Sequence, residues 1–95
     1  MSMKKAYEQK IRAQLDEWQA EVDKFRAKAA DAEADAQIAY YRRIDDLRAA
    51  QNQAEERLAE LKNSSDDAWD DLKTGVETAT RSLSEAMTTA RSRFG

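Results

Sequence analysis

Lys62-Asn63-Ser64-Ser65-Asp66-Asp67 sits between two long segments that share one pattern of apolar spacing. Ser64 followed three residues later by Asp67 resembles a capping box, with acidic side chains opening a new helix. On that reading helix one covers 3–62, helix two covers 65–93, and the chain folds back as a helix–loop–helix hairpin. Phase argues for another shape. The apolar spacing passes through this segment at Leu61, Ser65 and Trp69 without losing register, and no Gly or Pro is present to turn the chain. The alternative is one continuous helix, bent at most near 63–65 and roughly 130 Å long at 1.5 Å per residue.

The stripe on either side of this segment is the strongest signal in the sequence. It runs Tyr7, Ile11, Leu15, Trp18, Val22, Phe25, Ala29, Ala32, Ala36, Tyr40, Ile44, Leu47, Gln51, Ala54, Leu58 and Leu61. Beyond Ser65 it continues as Trp69, Leu72, Val76, Ala79, Leu83, Met87, Ala90 and Phe94. Of 21 Val, Ile, Leu, Met, Phe, Trp and Tyr residues, only Met1, Met3, Ile38 and Tyr41 lie off it. Steps of three and four are helical, and strand alternation is absent, so the chain reads as all-α. The 24 steps from residue 7 to residue 94 average 3.63 residues. That value lies between a heptad and an eleven-residue repeat, which supercoil in opposite senses, so nearly straight helices are expected.

A helix with one apolar stripe is marginal alone in water and must cover that stripe. In the hairpin, helix two reaches only about half of helix one and leaves Tyr7–Phe25 uncovered. Residues 1–95 therefore read as a single element that assembles with copies of itself into a coiled coil or helical bundle. The expected interface consists of Tyr7, Ile11, Leu15, Trp18, Val22, Phe25, Tyr40, Ile44, Leu47, Leu58, Leu61, Trp69, Leu72, Val76, Leu83, Met87 and Phe94. The alanines between residues 27 and 39 make a narrow waist in this seam, because small side chains bury little area. Gln51 is either a tolerated polar interruption or a register-setting hydrogen bond between chains.

Composition excludes much chemistry. The 95 residues contain no Cys, His or Pro, so disulfides, thiolate or imidazole metal sites and Cys–His or Ser–His catalysis are out of reach. A net charge of −3 disfavours nucleic acid, and Arg42-Arg43 is followed at once by Asp45-Asp46. The longest stretches without a charged residue (Ala36–Tyr41 and Ala49–Ala54) are far short of the roughly 20 residues a membrane span needs. The opening Met1-Ser2-Met3-Lys4-Lys5 is followed by Glu8 and Lys10 instead of an apolar run. A cytoplasmic or membrane-peripheral location is expected.

Few residues remain as candidates for binding. Asp66, Asp67, Asp70 and Asp71 could attract a hard cation, but with no glycine turn they read as the acidic start of a helix, and no metal or cofactor is expected. Ser and Thr are numerous from 64 to 92, yet no partner base activates them, so the chain is expected not to be an enzyme. Residues 66–94 form a weakly charged amphipathic helix. Its polar face carries Thr74, Thr78, Thr80, Ser82, Ser84, Thr88, Thr89 and Ser92, and such a helix can lie on a membrane surface.

Trp69-Asp70-Asp71-Leu72-Lys73-Thr74-Gly75-Val76-Glu77, the ending Arg91-Ser92-Arg93-Phe94, the opening Lys5-Ala6-Tyr7-Glu8 and the central Ala39-Tyr40-Tyr41-Arg42 resemble a family of small bacterial coiled-coil proteins. The resemblance spans most of the chain. It implies long helices with mixed heptad and eleven-residue repeats and brings no catalytic residues. This tail is richer in Ser and Thr than the family pattern, and Thr80 stands where a bulkier residue is expected. The reading is a self-associating, non-enzymatic scaffold or adaptor. A peripheral membrane binder and a regulatory subunit docking on another protein are the alternatives.

Overall fold

A computed structural model describes residues 3–94. It contains three helices, α1 over Met3–Asp31, α2 over Ala34–Lys62 and α3 over Trp69–Phe94, and no strand among the described residues. They pack side by side into a bundle of 51 × 19 × 18 Å. α2 runs antiparallel to α1, since Arg12 meets Glu55 and Gln19 meets Gln51. α3 returns parallel to α1, pairing Tyr7 with Trp69 and Phe25 with Phe94.

The all-α reading holds, but the helix expected over 3–62 is interrupted. The chain reverses at Ala32 and Glu33, inside the stretch read as a narrow waist. The cause is what that stretch lacks. From Phe25 to Tyr40 the stripe offers only alanines, which give a facing helix little area to hold. Reversing there costs a few backbone hydrogen bonds and lets Phe25 and Tyr40 converge on Phe94, with ring centroids 4.6 and 4.4 Å away. Glu33 carries the change of direction in an extended conformation (φ −64°, ψ 157°). Stripe phase conceals the break, because a two-residue turn that resumes on an inward residue keeps steps of three or four.

The second break falls where Asn63–Asp67 suggested, though the capping differs in detail. Ser64 turns back and donates its hydroxyl to the Leu61 carbonyl at 2.5 Å. Ser65, not Ser64, takes the capping role: its Oγ accepts from the Ala68 N–H at 3.2 Å, and its carbonyl accepts from the Trp69 N–H at 3.1 Å. α3 therefore starts at Trp69, later than the expected residue 65, with Asp70 and Asp71 in its first turn and Arg91 and Arg93 in its last. That distribution complements the helix macrodipole at both ends.

With two reversals the chain covers its own stripe. Of the residues expected to face another chain, Ile11, Leu15, Val22, Phe25, Ile44, Leu47, Leu58, Leu61, Val76, Leu83, Met87 and Phe94 are buried within this one. Tyr7, Trp18, Tyr40, Trp69 and Leu72 are partly buried against them. Intrachain burial gains the same hydrophobic term as association, without the loss of translational and rotational freedom that a second molecule incurs. The polar seam residue Gln51 is also used internally. It is buried, and its amide donates to Gln19 Oε1 at 3.0 Å, tying α2 to α1. Thr80, read as part of a polar face, is buried as well. Its hydroxyl bonds the Val76 carbonyl at 2.9 Å, so its burial leaves no polar atom unpaired.

Candidate functional site

Three places on the bundle carry side chains that packing alone does not account for. The first is the end where α1 begins. Lys4 Nζ donates to the Lys62 carbonyl at 3.0 Å and also to the Ser64 carbonyl, closing the free end of α2. Beside it Tyr7 and Trp69 lie 5.8 Å apart, with Lys73 Nζ 5.4 Å from the Tyr7 ring centre. The Tyr7 hydroxyl is buried here with no hydrogen-bond partner. Burial, followed by the charge of Glu77, raises its pKa above the ordinary tyrosine value. Lys73 Nζ also lies 5.8 Å from the Trp69 ring centre, and a cation over two aromatic faces is a stabilising contact.

The second place is the seam between helices, where two bidentate pairs lie. Arg12 holds Glu55 at 2.8 and 2.7 Å, joining α1 to α2, and Arg91 holds Glu21 at 2.6 and 2.7 Å, joining α3 to α1. The arginine hydrogen bonds keep both carboxyls below the usual glutamate pKa, against a smaller opposing effect of burial. Open grooves flank these pairs, one lined by Glu8, Arg12, Glu55 and Lys62, another by Glu17, Glu21, Lys24 and Arg91. Their paired carboxylates are already matched by arginine, so the pairs set the register of the helices.

The third place is the outer face of α2. Ile38 and Tyr41 are exposed there, 57% and 44% accessible, although both are large and apolar. Together with Met3 these are the residues that fell off the stripe in the sequence, and that offset was the available signal. The fourth off-stripe residue, Met1, lies outside the described residues. Arg42 and Asp45, one helical turn beyond Ile38 and Tyr41, form no ion pair with any described residue.

The remaining candidates are dispersed. Asp66 and Asp67 lie in the connection between α2 and α3, Asp70 and Asp71 in the first turn of α3, and no group of three potential ligands among the described residues could hold a metal ion. The apolar face of α3, expected to be able to meet lipid, is turned inward at Val76, Ala79, Leu83, Met87 and Ala90. No helix among the described residues is long and apolar enough to cross a membrane. The resemblance to small bacterial coiled-coil proteins rests on the segments quoted for it. No protein family, curated protein or solved structure matches the chain.

Proposed function

We propose that this chain is a non-enzymatic scaffold or adaptor whose working surface is the outer face of α2, and that a second copy is its partner. The observation that supports this reading is the exposure of Ile38 and Tyr41 in a chain that buries every large apolar residue of its stripe at least in part. An exposed apolar pair rimmed by unpaired charges is the composition of an association surface. The patch is self-complementary. Two α2 helices laid antiparallel about a two-fold axis between Ala39 and Tyr40 set Ile38 of each against Tyr41 of the other, so one patch serves both sides. The area is small, so the association is weak and reversible.

Sedimentation equilibrium over a wide concentration range tests the reading. The chain is expected to dimerise reversibly at high concentration, and the double substitution Ile38→Glu, Tyr41→Glu to abolish it. Because both side chains are exposed, the substitution should leave the melting temperature nearly unchanged. A chain that stays a single molecule at every concentration, or a double variant that associates like the parent, removes the proposal.

A further inference from the structure

The reversal between α1 and α2 is held by little. It uses Ala32 and Glu33, contains no glycine, and has no residue at positive φ. Glu33 stands at the N-cap of α2 but makes no side-chain capping bond. The contacts that bridge the turn are Ala32 N–H to the Ala29 carbonyl at 3.2 Å and the exposed Gln37 amide to the Ala30 carbonyl at 3.1 Å. The flanking residues Ala27, Ala29, Ala30, Ala34, Ala36 and Ala39 are strong helix formers. Spacing through the turn is that of an unbroken helix, with Ala29, Ala32, Ala36 and Tyr40 in steps of three and four. Rotating Glu33 ψ from 157° toward the helical value, with Ala32 helical as well, would bring the two helices into line. The carbonyls ending α1 and the N–H groups starting α2 would then pair with each other.

No chain can do this alone, because lifting α1 away exposes Ile11, Leu15, Val22 and Phe25 to water. Two chains can do it together. α1 and α2 have the same length, 29 residues each, so α1 of one copy can occupy the place of α1 in the other. The exchanged contacts are those already present: Arg12 with Glu55, Gln19 with Gln51 and Glu21 with Arg91, now between chains. We infer that Ala29–Ala36 is a hinge through which two copies of this chain exchange α1, each gaining one continuous helix over residues 3–62. The inference rests on the self-association reading for its partner, but it uses none of the Ile38–Tyr41 face. Since core contacts are the same in both forms, the hinge and the concentration govern the balance between them.

Ala34→Pro separates the two forms. Ala34 is the first residue of α2, and the preceding Glu33 already has the extended geometry that a following proline demands. The closed chain therefore accepts the change. In a continuous helix the substituted residue would lose its bond to the Ala30 carbonyl and its ring would clash with that carbonyl, lowering the opened form by about a hundredfold per hinge. The test refolds the full chain at high concentration and measures its mass. In parallel, Arg12→Cys and Glu55→Cys chains are refolded together and treated with a short bis-maleimide, which is specific because the parent has no cysteine. The expected result is a dimer in which positions 12 and 55 are linked between chains, and the loss of that link when Ala34→Pro is added, with only the weak association through the α2 face remaining. A dimer without the interchain link overturns the exchange and leaves the α2-face reading standing. A single-chain mass throughout overturns both. A proline variant that dimerises and links like the parent shows that the hinge lies elsewhere and overturns this assignment.

Discussion

Among the described residues the buried polar side chains of Gln51 and Thr80 are satisfied, and the buried hydroxyl of the partly buried Tyr7 is not. Gln51 has its amide partner on α1, and Thr80 bonds the turn of helix beneath it. The Tyr7 hydroxyl has no partner, although its ring packs well against Trp69. A buried hydroxyl without a hydrogen bond carries a desolvation cost of about 1–3 kcal/mol. Tyr7→Phe keeps the ring and discards that cost, so it should raise stability by about 1 kcal/mol, read from the urea midpoint. Alkali probes the same atom. Because burial raises the folded-state pKa, the neutral phenol's contribution is fully present below the unfolded value of about 10 and is lost as pH rises through the folded value. The parent should therefore lose stability above about pH 10 more steeply than Tyr7→Phe does.

The elements differ in how firmly they are defined. α3 carries the one described glycine, Gly75, on its second turn. A Cβ placed there meets Arg57 Cδ at 3.7 Å, an ordinary contact, so nothing in the packing requires glycine. Gly75→Ala should stabilise the fold by about 0.5–1 kcal/mol, seen as a higher melting temperature with unchanged helicity. A loss of stability instead would mean that α2 and α3 approach more closely than that contact implies. The turn between α2 and α3 has a serine cap and a bonded serine hydroxyl. The turn between α1 and α2 has neither, and its sequence favours continued helix. The difference was readable for Ser64-Ser65, where the residue types have no better use than capping. It was not readable at Ala32-Glu33, where nothing in the residue types marks a stop.

For the whole molecule, the charge pairs that join the helices make its acid response predictable. Arg91 holds Glu21, and Arg12 holds Glu55, below their ordinary pKa, so their contribution is present above the unfolded value of about 4.3 and is lost as pH falls through the folded values. Both pairs are substantially exposed and screened, so each contributes no more than about 1 kcal/mol. Replacing both with Glu21→Gln and Glu55→Gln should lower stability modestly at neutral pH. It should also flatten the fall in the urea midpoint between about pH 5 and pH 3. A double variant whose acid response matches the parent would mean that other carboxylates dominate it.

Helical periodicity is a local property. From it alone the chain is all-α, its inward residues are named almost completely, and Met1, Met3, Ile38 and Tyr41 are left off the stripe. Which surface the stripe meets is not local. A stripe can be covered by another chain or by its own far end, and residue types along the stripe are the same in both cases. Folding back at Ala32-Glu33 and again at Asn63–Ala68 brings Phe25, Tyr40 and Phe94 together from three distant positions. That convergence depends on where the backbone reverses, and here the first reversal is favoured by weak packing in an alanine stretch, with no glycine or proline to announce it.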